Sequence, residues 1–168
     1  MGTCVFVGRF QPFHNGHLMV VKGMAKTCGK VIIVIGSAQE SNTAKNPFTA
    51  TERKDMIQRS LQDIDLIPQF DIDFREIEDM KDDGAWADAV IDACGDISIV
   101  WTGDEWTKKC FEDKGIEVKD IVEVPGISAT MIRDKIKNGD EFWRDSVPEE
   151  VAKTISEIEG ITRIKKIS

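Results

Sequence analysis

A doubly wound α/β fold, a parallel sheet with helices on both faces, is predicted by three observations. The chain opens with a strand, helix, strand unit. Its second strand is β-branched throughout, and further along strands alternate with helices across short connections. Thr3–Gly8 is an apolar run of strand length that ends in glycine. Leu18, Val21, Ala25 and Cys28 then share one helical face after Gly16, and Gly29 stops that helix. Residues 31–35, closed by Gly36, read as a strand buried on both sides.

Residues 37–46 form a polar loop. Thr49, with Glu52 three residues later, is a capping box that opens a helix to about Leu61. Phe70, Ile72 and Phe74 alternate with Asp71, Asp73 and Arg75, the pattern of a half-exposed strand. Trp86, Ala89, Val90, Ala93 and Cys94 recur at helical spacing. Residues 97–101 return to strand, 105–114 form a short helix closed by Gly115, and 116–124 hold a last strand broken by Pro125-Gly126. The final third carries helices over 128–137 and 148–158 and then a basic tail, Arg163-Ile164-Lys165-Lys166. No Gly, Ser or Pro-rich linker interrupts the chain and no repeat recurs. A single domain over residues 1–168, with a helical C-terminal extension from about 128, is therefore expected.

The composition, 41% hydrophobic and 31% charged over 168 residues, excludes a disordered or fibrous chain. No stretch nears the ~20 apolar residues of a membrane span. Met1-Gly2-Thr3-Cys4 lacks the basic opening of a signal or transit peptide, so a cytoplasmic protein that does not cross a membrane is expected. Twenty-two basic against thirty acidic residues leave a net charge of −8. That balance disfavours a groove for nucleic acid but permits a local site for small anions. Cys4, Cys28, Cys94 and Cys110 show neither CxxC nor zinc-ligand spacing, and reduced, mostly buried thiols are expected.

Ligands of open α/β sheets bind beyond the carboxyl ends of the strands, so the residues after the first strand matter first. They are Gly8-Arg9-Phe10-Gln11-Pro12-Phe13-His14-Asn15-Gly16-His17, and they contain both histidines of the chain. Three residues apart at a helix start, two imidazoles stand beside free amide donors and the positive end of the helix dipole. A lone histidine usually packs or caps; two framed by Gly8, Arg9, Pro12 and Gly16 point to a triphosphate site. The GxGxxG and GxxxxGK[ST] patterns are absent. His14 and His17 also lack the further ligands of a metal set, so no metal ligand is assigned.

Residues 8–17 resemble the (G)xFxPxHxGH signature of the nucleotidylyltransferase superfamily, with His14-Asn15-Gly16-His17 as HxGH. Ile127-Ser128-Ala129-Thr130-Met131-Ile132-Arg133 resembles its ISSTxxR motif, with Ala129 in place of the second serine. Read for themselves, Ser128 and Thr130 can cap a helix or donate to phosphate, and Arg133 falls on the first turn. The resemblance implies a Rossmann-like nucleotidylyltransferase fold and direct in-line displacement at the α-phosphate of a nucleoside triphosphate, without a covalent enzyme intermediate. It implies catalysis by His14, His17, Arg9 and Arg133, with Mg²⁺ bound along with ATP. The ATP site it implies comprises Gly8, Arg9, Phe10, His14, Gly16, His17, Lys45, Ile127, Ser128, Thr130 and Arg133.

Residues 8–18, 36–39, 46–53 and 159–164 are similar to the archaeal-type nicotinamide mononucleotide adenylyltransferases, so that this resemblance spans nearly the whole chain. It implies ATP and nicotinamide mononucleotide as substrates, NAD and pyrophosphate as products, and a homo-oligomer. The acceptor contacts it implies are Ser37, Gln39, Asp79, Asp83, Trp86 and Gly103, with Trp86 stacking on the nicotinamide ring. An aromatic face suits a cationic pyridinium, although Trp86 also heads the apolar stripe of its helix. Three departures from the family pattern stand out. Asp83 replaces a usual Asn, residues 124–126 form a short loop without arginine, and Lys45 replaces an arginine, keeping the charge but losing the bidentate fork. Rival readings keep the reaction but change the acceptor to nicotinic acid mononucleotide, FMN, phosphopantetheine or a CTP-dependent alcohol phosphate, or make the chain a nucleotide sensor without turnover.

Overall fold

The structure, a computed structural model, describes residues 2–167. Strands β1 (Thr3–Gly8), β2 (Lys30–Ile35), β3 (Ile72–Glu76), β4 (Ile99–Thr102) and β5 (Val118–Asp120) pair in parallel in the order β3-β2-β1-β4-β5. The chain builds outward from β1 through β2 to β3, then crosses back to β4 and β5. The strand order therefore reverses between β1 and β4, where open sheets of this kind leave a crevice.

The pleat divides the sheet residues between two cores. Cys4, Phe6, Val31, Ile33 and Ile35 face helices α1 (Asn15–Thr27) and α2 (Ala50–Asp63). Val5, Ile32, Val34 and Val100 face α4 (Asp83–Cys94) and α5 (Glu105–Glu112) and meet Trp86, Val90 and Phe111. Both faces are covered, as the β-branched strands require. The helices start where their caps stand. Thr49 Oγ1 accepts from Glu52 N at 3.1 Å while Glu52 Oε1 accepts from Thr49 N at 2.9 Å. Asp82, Asp104 and Ser128 cap α4, α5 and α6 (Ala129–Lys137) through Ala85, Thr107 and Met131.

The C-terminal elements complete the first core instead of standing apart from it. Ile132 and Ile136 of α6, Trp143 of a 3-10 turn (Glu141–Ser146), Val151 and Ile155 of α7 (Glu149–Glu157) and Ile164 of α8 (Gly160–Ile167) are buried with Phe6 and Phe10. Arg163 forks onto Glu52 at 2.6 and 2.9 Å and donates to Pro47 O at 3.1 Å, tying α8 to the first turn of α2. Gly160 permits that approach, because a Cβ there would lie 2.9 Å from Ile155 Cγ2 and 3.1 Å from its carbonyl.

Several expectations need correction. The basic tail is helix α8, whose Ile161 and Ile164 pack inward. Only Val118–Asp120 of the strand expected over 116–124 pairs with β4, whose own four residues limit the ladder; residues 121–127 leave the sheet edge as a loop. A four-residue helix, α3 (Leu66–Gln69), and the 3-10 turn are additional. The cysteines are not all reduced: Cys4 and Cys28 form a disulfide, with Cα atoms 6.0 Å apart. Spacing concealed this pair, 24 residues apart, because the fold returns the end of α1 beside the start of β1. Cys94 and Cys110 are free thiols. Among the described residues, no helix is long and apolar enough to cross a membrane.

Candidate active site

Where β1 ends and α1 begins, His14 occupies the N-cap and closes a capping box built from imidazoles. His14 Nδ1 accepts from Gly16 N at 3.1 Å and His17 N at 3.4 Å, and His17 Nδ1 accepts from His14 N at 3.1 Å. A ring nitrogen that accepts an amide proton carries none itself, so in each neutral ring the proton sits on Nε2. Both histidines thus present an N–H donor at the positive end of the helix.

The rings stack with centroids 3.6 Å apart and planes 19° apart. His17 also stacks against Phe13 at 5.6 Å and makes an edge contact with Phe10 at 4.9 Å. The two phenylalanines of the motif therefore form the walls that aim the second histidine. Burial pushes the His14 imidazole down to about 4. Burial first, and then the neighbouring His14, hold His17 well below the usual histidine range. At neutral pH both are uncharged donors.

Both loops at the strand ends are braced from behind. Arg53 of α2 is fully buried and donates to the carbonyls of Arg9 (2.9 Å), Gly36 (2.8 Å), Ser37 (3.1 Å) and Thr49 (3.2 Å). Burial lowers it to about 10, so it keeps its charge at neutral pH. Gln11 locks the first loop to Phe48, donating to its carbonyl at 3.0 Å and accepting from its amide at 2.9 Å. Arg133 reaches across from α6 to donate to Gln11 O at 2.9 Å, and burial followed by the nearby Arg9 lowers its guanidinium. Arg53 and Gln11 escaped the sequence reading. The available signal was an arginine set in the apolar stripe of Met56, Ile57 and Leu61.

These elements enclose a cleft of about 600 Å³ at the strand-order reversal. Gly8, Arg9, Phe10, His14, Gly16 and His17 line it from the β1–α1 turn, and Ile127, Ser128 and Arg133 from the start of α6. Ser37, Asp79, Trp86 and Gly103 line the remaining side. Asp79 is fixed there by Ser37 Oγ (2.9 Å) and Gln39 Nε2 (2.8 Å). Four expected residues do not line the cleft. Lys45 is exposed on the β2–α2 loop, Asp83 is exposed at the start of α4, Gln39 acts behind Asp79, and Thr130 accepts from Arg133 Nη2 at 3.4 Å. Residues the sequence reading passed over, including Trp106, Asp104 and Glu123, do line it. Among the described residues, no group of three His, Cys, Asp or Glu side chains converges on a cation.

Residues 5–135 match the cytidylyltransferase-like family. The chain belongs to that family. Among relatives within it, the nicotinamide-nucleotide adenylyltransferase of Thermococcus kodakarensis is 40% identical over 178 aligned residues, covering 98% of this chain and 87% of that protein. The proteins of the same name from Methanococcus maripaludis (38%, covering 96% and 93%) and Picrophilus torridus (40%, covering 96% and 95%) are similarly close. A crystal structure of a bifunctional NMN adenylyltransferase/ADP ribose pyrophosphatase from Francisella tularensis, complexed with AMP and a manganese ion, shares the fold. Its TM-score is 0.76 at 23% identity, over 99% of this chain and 51% of that one, so this chain spans about half of the bifunctional protein. The parallel sheet and HxGH turn of this cytidylyltransferase-like chain accord with that membership.

Proposed function

We propose that this protein transfers the adenylyl group of ATP to nicotinamide mononucleotide, forming NAD and pyrophosphate. The observation that carries the reading is the pair of Nε2–H donors on His14 and His17, set beside Arg9 and Arg133 in the cleft of a family whose relatives bear that activity in their names. An oxygen of the acceptor's phosphate attacks the α-phosphorus as the bond to the α,β-bridging oxygen breaks, and pyrophosphate leaves with that electron pair. Charge builds on the phosphate oxygens, where two fixed neutral donors and two guanidinium groups stabilise it without reorganisation.

In this reading Gly8 and Gly16 let the triphosphate approach the backbone, Phe10 aims His17 at it, and Ile127 and Ser128 shape its far end, with Thr130 bonded to Arg133. Lys45 reaches it only if its loop folds inward over ATP. Ser37, Asp79, Trp86 and Gly103 form the acceptor's side, Gln39 holds Asp79 in place, and Asp83 stands outside it. In this reading Mg²⁺ comes with ATP, and when bound it would offset charge on the triphosphate oxygens.

The test is pyrophosphate release with ATP and Mg²⁺ across nicotinamide mononucleotide, its acid form, FMN and phosphopantetheine. Fastest release with nicotinamide mononucleotide supports the reading. Release only with another acceptor moves the specificity, and binding without release makes the protein a sensor.

A further inference from the structure

From the contacts behind the cleft we infer that Arg163, on the C-terminal helix α8, is a positioning residue for the ATP site, acting through Phe48 and Gln11 on Arg133. The inference rests on reading the cleft as a triphosphate site and names a residue outside it that sets its geometry. Arg163 donates to both carboxylate oxygens of Glu52, at 2.6 and 2.9 Å, and to Pro47 O at 3.1 Å. Its guanidinium stands 6.0 Å from the centroid of the Phe48 ring, which is fully buried. The first residue of α8 packs on the same ring, since a Cβ on Gly160 would lie 3.0 Å from Phe48 Cε1. One side of the 47–48 segment is thus held by α8.

Its other side holds the ATP site. Both backbone groups of Phe48 are committed to the buried side chain of Gln11, the carbonyl accepting from Nε2 at 3.0 Å and the amide donating to Oε1 at 2.9 Å. A buried amide side chain follows such partners, because leaving them strands unpaired polar atoms. Gln11 O accepts from Arg133 Nη1 at 2.9 Å, so the position of Phe48 is passed to a guanidinium that lines the cleft. A second, longer contact runs the same way: Asn46, beside Pro47, accepts at Oδ1 from Arg9 Nη1 at 3.5 Å. Without the Arg163 fork, Glu52 keeps the Thr49 amide and Pro47 O keeps only the 3.3 Å bond from Asn42 N. The segment then gains freedom, and that freedom reaches both arginines as misplacement, the kind of remote error that weakens a site without removing any group from it.

The experiment measures ATP affinity by titration calorimetry with Mg²⁺, and steady-state kinetics, for wild type, Arg163→Met, Arg163→Lys, Gln11→Ala and Gln11→Ala/Arg163→Met, at a temperature where circular dichroism shows each to be folded. In Arg163→Met the Kd for ATP is expected to rise about tenfold while KM for nicotinamide mononucleotide stays within about twofold, the size of coupling that a relay of packed contacts carries. Arg163→Lys, which keeps the charge but not the fork, should show about a threefold rise. With the relay cut in Gln11→Ala, adding Arg163→Met should change the Kd by less than about twofold, a non-additivity that a merely structural brace would not produce. An unchanged ATP affinity in Arg163→Met, or in Arg163→Lys if the first variant does not fold, overturns the inference. So does an equal loss with and without the Gln11 side chain, or a loss shared equally by ATP and the acceptor. Wild type that fails to bind ATP overturns the triphosphate reading together with the inference; wild type that binds ATP beside an indifferent Arg163→Met overturns the inference alone.

Discussion

His14 and His17 each accept the other's backbone N–H through Nδ1, at 3.4 and 3.1 Å, while their rings stack 3.6 Å apart. The helix cap and the phosphate-binding donors are thus one construction. The bonds that start α1 also fix the tautomer that its site needs. Because the chain has no other histidine, long-range proton–nitrogen NMR reads both rings without overlap. Both should carry their proton on Nε2 at pH 7.5. An Nδ1–H signal from either would contradict the geometry.

The same burial makes stability depend on pH. His14 is lowered from 6.5 to about 4, so between those values the unfolded chain binds a proton that the folded chain refuses. Stability is full above the unfolded value and is lost as pH falls toward 4. The loss reaches about 2 kcal/mol at pH 5 and about 3 kcal/mol near pH 4 from this group. His17 acts in the same direction. Denaturant unfolding at pH 7.5 and pH 5 should show a smaller drop for His14→Asn, which can still cap the helix, than for wild type. Equal drops would show that His14 is not held neutral.

Arg53 supports the site without lining it. Replacing it with Met strands the carbonyls of Arg9, Gly36, Ser37 and Thr49. At about 1–3 kcal/mol for each buried acceptor left unpaired, a total of about 3 kcal/mol or more is expected. Turnover should fall as well, because the ends of β1 and β2 lose their common anchor. Chemical denaturation together with kinetics checks both effects, and a stable variant of normal activity would refute the bracing role.

The disulfide acts at the opposite end of β1 from the cleft. Cys4 and Cys28 close a loop with a sequence separation of 24 that includes the whole HxGH turn. For a loop of that size the unfolded-state constraint is worth about 3 kcal/mol. The double variant Cys4→Ser/Cys28→Ser should unfold at correspondingly lower denaturant and retain kcat within about twofold. Unchanged stability would mean that the bridge constrains nothing.

Local chemistry explains how much was legible in the sequence. Thr3–Gly8 is the strand that its apolar run announces, and the Thr49–Glu52 box is present with both of its bonds. HxGH and the start of α6 were readable because their residues act close to their own backbone, and the fold brings them to one cleft. What escaped depends on long-range contact. The Cys4–Cys28 bridge needs α1 folded back along β1. Arg53 gains its meaning only from carbonyls on two other loops. Trp106 lies in a helix that the sequence predicts well, yet only the cleft shows that its ring is half open. Lys45 and Asp83 were carried over by resemblance and stand outside the cleft.

NAD formation from ATP and nicotinamide mononucleotide, compared between wild type and His17→Ala with folding verified, tests the central claim most directly. Wild type should form NAD and pyrophosphate in equal amounts. His17→Ala should be slower by about 10²–10³ in kcat, the loss typical of one fixed charge-stabilising donor. Turnover near wild type in the variant, or no NAD from wild type, would contradict the account.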